Sequence, residues 1–389
     1  MNIIKKKFIT CPICNSNEYR SCYTKDFCIY INEDQYLWPT KQVICKNCGM
    51  IYTNPQPAKE ILNLYYNAYS RYGEIFKSFS FRKAQIEFFK RNIPNNLKRV
   101  LEIGSFDGTF LNCLKELGFE IHGIEPSKEG VNAALKNYGI NLEHTFFDKA
   151  YVDKFLASNK EKFDIVLFLH VFEHIPEPLD FLRLVLKVTK DNGVIFIEVP
   201  DAQRPTVENV ADFFSIEHIM YYTEASLRNI AYVLGLDILV IERPIEDSVI
   251  RAIFVNKDHN KEKSPQCIKL INEFEQNKQI IERYKIKREE FLNTIRKKLN
   301  GLKQVIIYGA GMHTSQLISE GLLDGIEIQA IVDSNPKKWN RNIFGFLIQS
   351  PYFLKEAKVP VLISSYSSQE EISRFLTKTY PHIEQIKLY

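Results

Sequence analysis

The run Val100-Leu101-Glu102-Ile103-Gly104-Ser105-Phe106-Asp107-Gly108 constrains the fold more than any other part of the chain. An apolar strand that empties into a glycine turn is how an open α/β sheet presents a ligand crevice at its carboxyl edge. Twenty-one residues past Gly104, the run Ile121-His122-Gly123-Ile124-Glu125 predicts a second short strand ending in a carboxylate, placed to accept hydrogen bonds from a ribose diol. The turn reads Glu-x-Gly-x-x-x-Gly, not the Gly-x-Gly-x-x-Gly that brings a pyrophosphate against backbone amides, which argues against a nicotinamide dinucleotide here. Residues 163–169 are almost continuously apolar, as a central parallel strand covered on both faces requires, and 194–199 predict a fifth strand. Between them 177–188 carry apolar residues at helical spacing, with Asn192-Gly193 expected to close the helix.

The same device recurs downstream. Lys303 to Tyr308 runs into Gly309-Ala310-Gly311-Met312-His313, and a strand over 328–332 ends in Asp333, 24 residues past Gly309. This predicts a second α/β unit in which Gly309, Gly311 and His313 are candidates for meeting a phosphate through backbone amides. A segment rich in Lys, Glu, Asn and Gln, 256–300, separates the halves and predicts a long connecting helix from about Pro265. The chain of 389 residues is long for one core. It divides into 1–60, 61–255, the linker 256–300 and 301–389.

Cys11-Pro12-Ile13-Cys14 and Cys45-Lys46-Asn47-Cys48 are two C-x-x-C knuckles thirty residues apart. Each short turn aims two thiolates at one ion, so together they predict a closed Cys₄ zinc shell that is structural, since no position is left open for chemistry. Disulfide or redox use is the alternative. Such a short segment needs a staple to hold its shape. Cys22, Cys28, Cys113 and Cys267 lack such partners and read as small buried residues.

The net charge of +4 creates no large basic field, so no nucleic-acid partner is expected, and the run Lys5-Lys6-Lys7 reads as a solvated terminus. No export signal and no apolar window of about 18 residues appear, so a cytoplasmic protein without a membrane partner is expected. Oligomeric state is left open.

The series EIGSFDG, GIEPS, FFD, FDIVLFLHVFEHI and VIFIEVP resembles the class I S-adenosylmethionine-dependent methyltransferases over roughly residues 80 to 245. With the Cys₄ module and the third α/β domain, nearly the whole chain is similar to three-domain sugar C-methyltransferases and relatives acting on nucleotide-linked sugars. The resemblance implies an α/β, Rossmann-like methyltransferase domain and a second Rossmann-like domain at the carboxyl end. It implies that Glu102, Gly104, Asp107 and Gly108 lie under the methionine part of the donor, and that Glu125 holds its ribose. Asp148, with Phe147, is expected at the adenine and His170 near the sulfonium. Asp107 is equally well read as a cap on the helix over 109–117, and His170 and His174 as structural histidines.

After the fifth strand, Asp212 to Thr223 resembles the family's acceptor loop. There Glu217 and His218 are the implied acceptor-handling pair, His218 as base or acceptor ligand and Glu217 as its orienter, with Tyr222 as a further acceptor contact. Histidine, with an unperturbed pKa near ~6.5, suits proton removal at neutral pH. An aromatic cluster, 65–73, resembles a lid, with Tyr69 and Tyr72 facing the acceptor; with 27 Phe and 20 Tyr in the chain, packing is the competing explanation. Where sugar C-3 methyltransferases carry Tyr-His ahead of the Glu-His pair, this chain has Ser215-Ile216, so transfer to oxygen competes with transfer to carbon. Two other functions stay open: a binding protein that keeps the donor scaffold without chemistry, and a nicotinamide-dependent sugar-modifying enzyme working from Gly309 to Asp333.

Overall fold

Seven strands form the central sheet, in the order Asp237–Glu242, Val249–Val255, Thr189–Pro200, Phe163–Leu169, Arg99–Ile103, Glu120–Glu125 and Glu143–His144. The last five run parallel, and the first two form an antiparallel hairpin on their flank. The computed structural model describes residues 2–31, 34–68, 79–207, 210, 212–256 and 269–389. Ile165 to Phe168 are fully buried because helices cover both faces of the sheet. The predicted first, second and fourth strands and the helix Pro178–Val188 are present. Asn192-Gly193 does not close that helix. It lies inside the strand Thr189–Pro200, where Asn192 takes φ 60° and donates its N–H to the Asn256 carbonyl. The helix ends instead as Thr189 turns its hydroxyl back to the Val185 carbonyl.

The amino-terminal residues build a long hairpin, Tyr19–Ile31 with Asp34–Cys45, whose second strand pairs with Ile51–Thr53. That strand pairs in turn with Met220–Tyr221, from the loop after the fifth strand of the central sheet. The module is therefore not a free-standing knuckle: Cys11, Ile13, Trp38, Cys45 and Tyr52 belong to one apolar core with Phe168, Phe172 and Ile197. Cys22, Cys28 and Cys113 are buried, as expected of small apolar residues, and Cys267 lies outside the described residues.

The carboxyl-terminal unit is a second sheet with strand order Asn342–Ile343, Phe346–Gln349, Glu327–Val332, Gln304–Tyr308, Val361–Ile363 and Gln385–Lys387. The connecting helix is Phe274–Leu299; it begins later than Pro265, after the non-helical residues 269–273. Among the described residues no helix is long and apolar enough to cross a membrane.

One buried carboxylate joins these units. Asp212, with a side chain 0% exposed, accepts from Tyr23 at 2.5 Å and Tyr284 at 2.6 Å, and pairs with Lys25 at 3.1 Å and Arg288 at 3.8 Å. Lys25 and Arg288 also meet Glu320 of the carboxyl-terminal unit. Burial opposes the Asp212 charge, but Lys25 and Arg288 outweigh it and hold the carboxyl below its ordinary range. Its contribution to stability is thus present above the normal Asp range and fades only as pH falls through that lowered value. Asp212→Ala leaves two buried cations sharing Glu320, so a loss of about 3–5 kcal/mol in chemical denaturation is expected. A loss below about 1 kcal/mol would show that the network is not what holds the units together.

Candidate active site

At the carboxyl edge of the central sheet lies a crevice of about 1630 Å³. Its floor is the glycine turn. Gly104 takes φ 73°, and a Cβ there would stand 2.5 Å from Val171 Cγ2, so only glycine lets the turn pass under the residues that follow the fourth strand. Glu125, buried at the end of the second strand, accepts from the N–H groups of Phe106 and Ser127, both at 2.8 Å. It clamps the turn while lining the crevice. Burial raises its pKa against those two amides.

Asp107 holds the start of the following helix and also lines the crevice. Its Oδ1 accepts from the Thr109 amide at 3.1 Å and hydroxyl at 2.7 Å, while Oδ2 is buried without a hydrogen-bond partner in a residue that lines the crevice. Glu102 and Gly108 lie behind that lining. Burial, with Arg82 opposing and Asp107 and Glu125 adding, pushes Glu102 up to about 8, so a neutral carboxyl sits beneath the turn at pH 7. Gly108 at φ 76° starts the helix Thr109–Glu116 against Ala134, a packing role. Phe147 and Asp148 line the far end, where Asp148 also caps the helix Lys149–Ala157 through the Tyr151 amide.

The fourth strand delivers His170, at φ 55°, onto two buried carboxylates: Nδ1 is 3.4 Å from Glu173 Oε1 and Nε2 is 3.1 Å from Glu198 Oε1. Burial disfavours the charged ring, but the two acids prevail and push its pKa up to about 10. Both acids, against their own burial, fall to about 2. His170 is thus an imidazolium held in place by charge.

The loop after the fifth strand meets this group. Glu217 lines the crevice and its carboxylate accepts from Tyr65 at 2.8 Å, while its carbonyl accepts from His174 Nδ1 at 2.9 Å. The acid that faces the His218 ring is Glu173, 3.9 Å from Nε2, and His218 packs edge-on against His174 with ring centres 5.0 Å apart. His174, not His218, is the histidine of this pair that lines the crevice. Glu173 was not singled out in the sequence; the signal for it is the spacing His-x-x-Glu-His directly after an apolar strand, which brings three ionisable side chains to one strand exit.

Several expectations are corrected. Tyr222 is fully buried, stacked on Phe172 at 4.8 Å with its hydroxyl on the Phe172 carbonyl, so it is a core residue and not an acceptor contact. The crevice walls come from residues 5–217, so Gly309, Gly311 and His313 are not part of it. His313 instead bonds the Tyr389 hydroxyl at 2.7 Å. Lys5, Lys6 and Lys7 are no idle terminus: they form a crevice wall, steadied by the pairing of Lys6–Lys7 with Gln56–Pro57. Tyr69 and Tyr72 lie outside the described residues.

The four cysteines converge, with Cys11 and Cys48 Sγ atoms 3.5 Å apart and Cys14 and Cys45 likewise. That is far beyond a disulfide bond and close to the edge of about 3.8 Å that a tetrahedron of thiolates ~2.3 Å from zinc would have.

Residues 76–240 match the sequence model of a methyltransferase-domain family, and residues 301–386 match that of a domain described as C2185-like, N-terminal. A ubiquinone biosynthesis O-methyltransferase of Caulobacter vibrioides is 29% identical over 25% of this chain and 39% of its own length. One from Actinobacillus pleuropneumoniae serotype 7 is 28% identical over 25% of this chain and 44% of its length. The chain thus spans about two fifths of these curated relatives. A solved S-adenosylmethionine-dependent methyltransferase from Archaeoglobus fulgidus is similar at 20% identity, covering 46% of this chain and 94% of that one with a TM-score of 0.36.

Glu125→Ala is expected to weaken S-adenosylmethionine binding ten- to a hundredfold, because loss of a charged acceptor costs about 1.5–3 kcal/mol. Calorimetry on the folded variant checks this, and unchanged affinity removes Glu125 from the donor site.

Proposed function

We propose that this chain, a class I S-adenosylmethionine-dependent methyltransferase over residues 76–240, passes the donor methyl to a hydroxyl of a phosphate-bearing acceptor, a nucleotide-linked sugar. The supporting observation is the crevice itself. Its volume exceeds the ~300–1,000 Å³ of a pocket for one small ligand, and its lining includes the basic residues Lys5, Lys6, Lys7, Arg82 and Lys187. Such basic side chains suit phosphate.

A sulfonium methyl is already activated, so the protein's work is to hold donor and acceptor in line and to deal with the acceptor's proton. Gly104, Asp107, Glu125 and Asp148 would hold the donor, and the Glu217–His218 loop, with His174, would meet the acceptor oxygen. The sulfur–carbon bond breaks as the oxygen–carbon bond forms, leaving S-adenosylhomocysteine. Transfer to oxygen is favoured over carbon by Ser215-Ile216, where the Ser215 hydroxyl accepts from the His218 amide, its carbonyl accepts from the Tyr221 hydroxyl, and Ile216 is buried. The O-methyltransferase names of the matched relatives point the same way, toward oxygen if not toward a sugar.

Zinc on Cys11, Cys14, Cys45 and Cys48 fits as a structural ion, since the donor set is all thiolate and the sulfurs already stand at near-tetrahedral spacing. Elemental analysis of chelator-free protein is expected to give about one equivalent on these ligands. Less than half an equivalent would count against the assignment. Its removal should raise hydrogen exchange in residues 11–53 and, through the strand pairing, at Met220 and Tyr221.

His218→Ala is expected to lose turnover by about a hundredfold or more while binding S-adenosylmethionine normally, and Glu217→Ala to lose less. Product NMR separates an O-methyl from a C-methyl group. Near wild-type turnover of the His218 variant across pH 6 to 8 would take the acceptor role away from this loop.

A further inference from the structure

Glu173 is 2% exposed, and neither of its carboxylate oxygens has a hydrogen-bond partner. A buried carboxylate left that way costs several kcal/mol unless a positive charge completes it. His170 supplies one side at 3.4 Å, in contact as an ion pair but not aligned for a hydrogen bond. On the other side stand His174 Nε2 at 4.0 Å and His218 Nε2 at 3.9 Å, too far for hydrogen bonds to Glu173. One donor atom from each of Glu173, His174 and His218 lies within 4.8 Å of the other two.

We propose that Glu173, His174 and His218 hold a divalent first-row transition ion. Donors spaced this way leave a point roughly 2.5 Å from all three, a small side-chain movement from the ~2.0–2.2 Å at which imidazole and carboxylate bind zinc. His174 is in the form such a site uses. A carbonyl only accepts, so the 2.9 Å contact with Glu217 O puts the His174 proton on Nδ1 and leaves Nε2 as the basic nitrogen. Two imidazoles and one carboxylate suit iron(II), cobalt(II) or zinc and leave positions open to an outside ligand. His174 and Glu217 line the crevice, so the open side faces the acceptor.

Resting on the methyltransferase reading, the ion would take the acceptor hydroxyl, whose proton passes to water because bound oxygen ionises near neutral pH. The resulting alkoxide attacks the sulfonium methyl, and S-adenosylhomocysteine leaves with the electron pair of the broken carbon–sulfur bond. His218 then serves as a ligand of the acceptor's ion.

The test starts from full-length protein carrying zinc on its thiolates, titrated with Co²⁺. A second equivalent is expected, with d–d absorption but no thiolate charge transfer. His174→Ala and Glu173→Gln should each weaken that equivalent tenfold or more while keeping the thiolate zinc and the S-adenosylmethionine affinity that mark a folded protein. If Glu173→Gln does not fold, His174→Gln carries the comparison alone. Wild-type protein that takes up no second equivalent of Co²⁺ or Zn²⁺, or variants that keep it unchanged, overturn the site. Full-rate methylation by protein holding only its thiolate zinc overturns the ion's role and leaves the methyltransferase standing. Failure to bind S-adenosylmethionine overturns the methyltransferase reading whatever the cobalt does.

Discussion

The crevice depends on a buried charge behind it. Glu198, on the strand beside the central one, is 1% exposed and is met by Arg251 Nε at 2.5 Å, by His170 Nε2 at 3.1 Å and by the Gln85 amide. These partners come from the antiparallel flank, the exit of the central strand and the helix Phe79–Asn92, so one carboxylate ties three elements together. His170 can hold φ 55° because both ring nitrogens lie on carboxylates. The arrangement is steady over the working range of pH. The raised His170 pKa means its stabilisation is complete below about 6.5 and lost only as pH rises through about 10. The depressed Glu198 pKa means its share is present above about 4.5 and lost only as pH falls through about 2.

From His170 the chain turns at once into Phe172–His174, and that turn carries the Glu217–His218 loop. The Ile219 amide donates to the Glu173 carbonyl at 3.0 Å, and the Ile219 carbonyl accepts from the Thr53 amide at 2.8 Å. Thr53 ends a strand that begins three residues past Cys48. Thiolate cluster, strand Ile51–Thr53, Glu217–His218 loop and central strand are thus joined by backbone hydrogen bonds in one continuous path. A structural ion at one end would therefore position Glu217 and His218 at the other.

Much of this was legible in the sequence, and what was not has a physical reason. Parallel strands buried on both faces are continuous apolar runs, so Phe163–Leu169 and the strand before Gly104 stand out, and the fixed length of a βαβ step places Glu125. The metal knuckles are local by chemistry. Contacts that span long stretches of chain leave no periodic trace: Tyr65 reaches Glu217 across 152 residues, and Asp212 reaches Tyr23 across 189. The Lys5–Lys7 wall was hidden for the same reason, since only strand pairing with Gln56–Pro57 brings it to the crevice. Asn192-Gly193 misled because it has the composition of a helix stop in a place where strand pairing to 256 overrides local preference.

The two α/β halves show how the same device in sequence can end in different surroundings. In each, the strand-end acid clamps its own glycine turn: Glu125 accepts from the Phe106 amide and Asp333 from the Ala310 amide, both at 2.8 Å. Beyond the clamp they diverge. In the first half Glu125 opens on the crevice. In the second, Lys338 closes on Asp333 at 2.9 Å, and Gly309 backs onto the Ser364 carbonyl so tightly that a Cβ would lie 2.9 Å from its oxygen. The terminal Tyr389 ties off the rest, bonding His313 through its hydroxyl and Gln369 through its backbone. Burial, with Arg288 adding, pushes His313 down to about 4, so a neutral ring sits in that contact. The edge that opens on a crevice in one half is crossed in the other by contacts among the chain's own side chains. What the second half offers the first is Glu320, a countercharge for the Lys25 and Arg288 that also pair with Asp212.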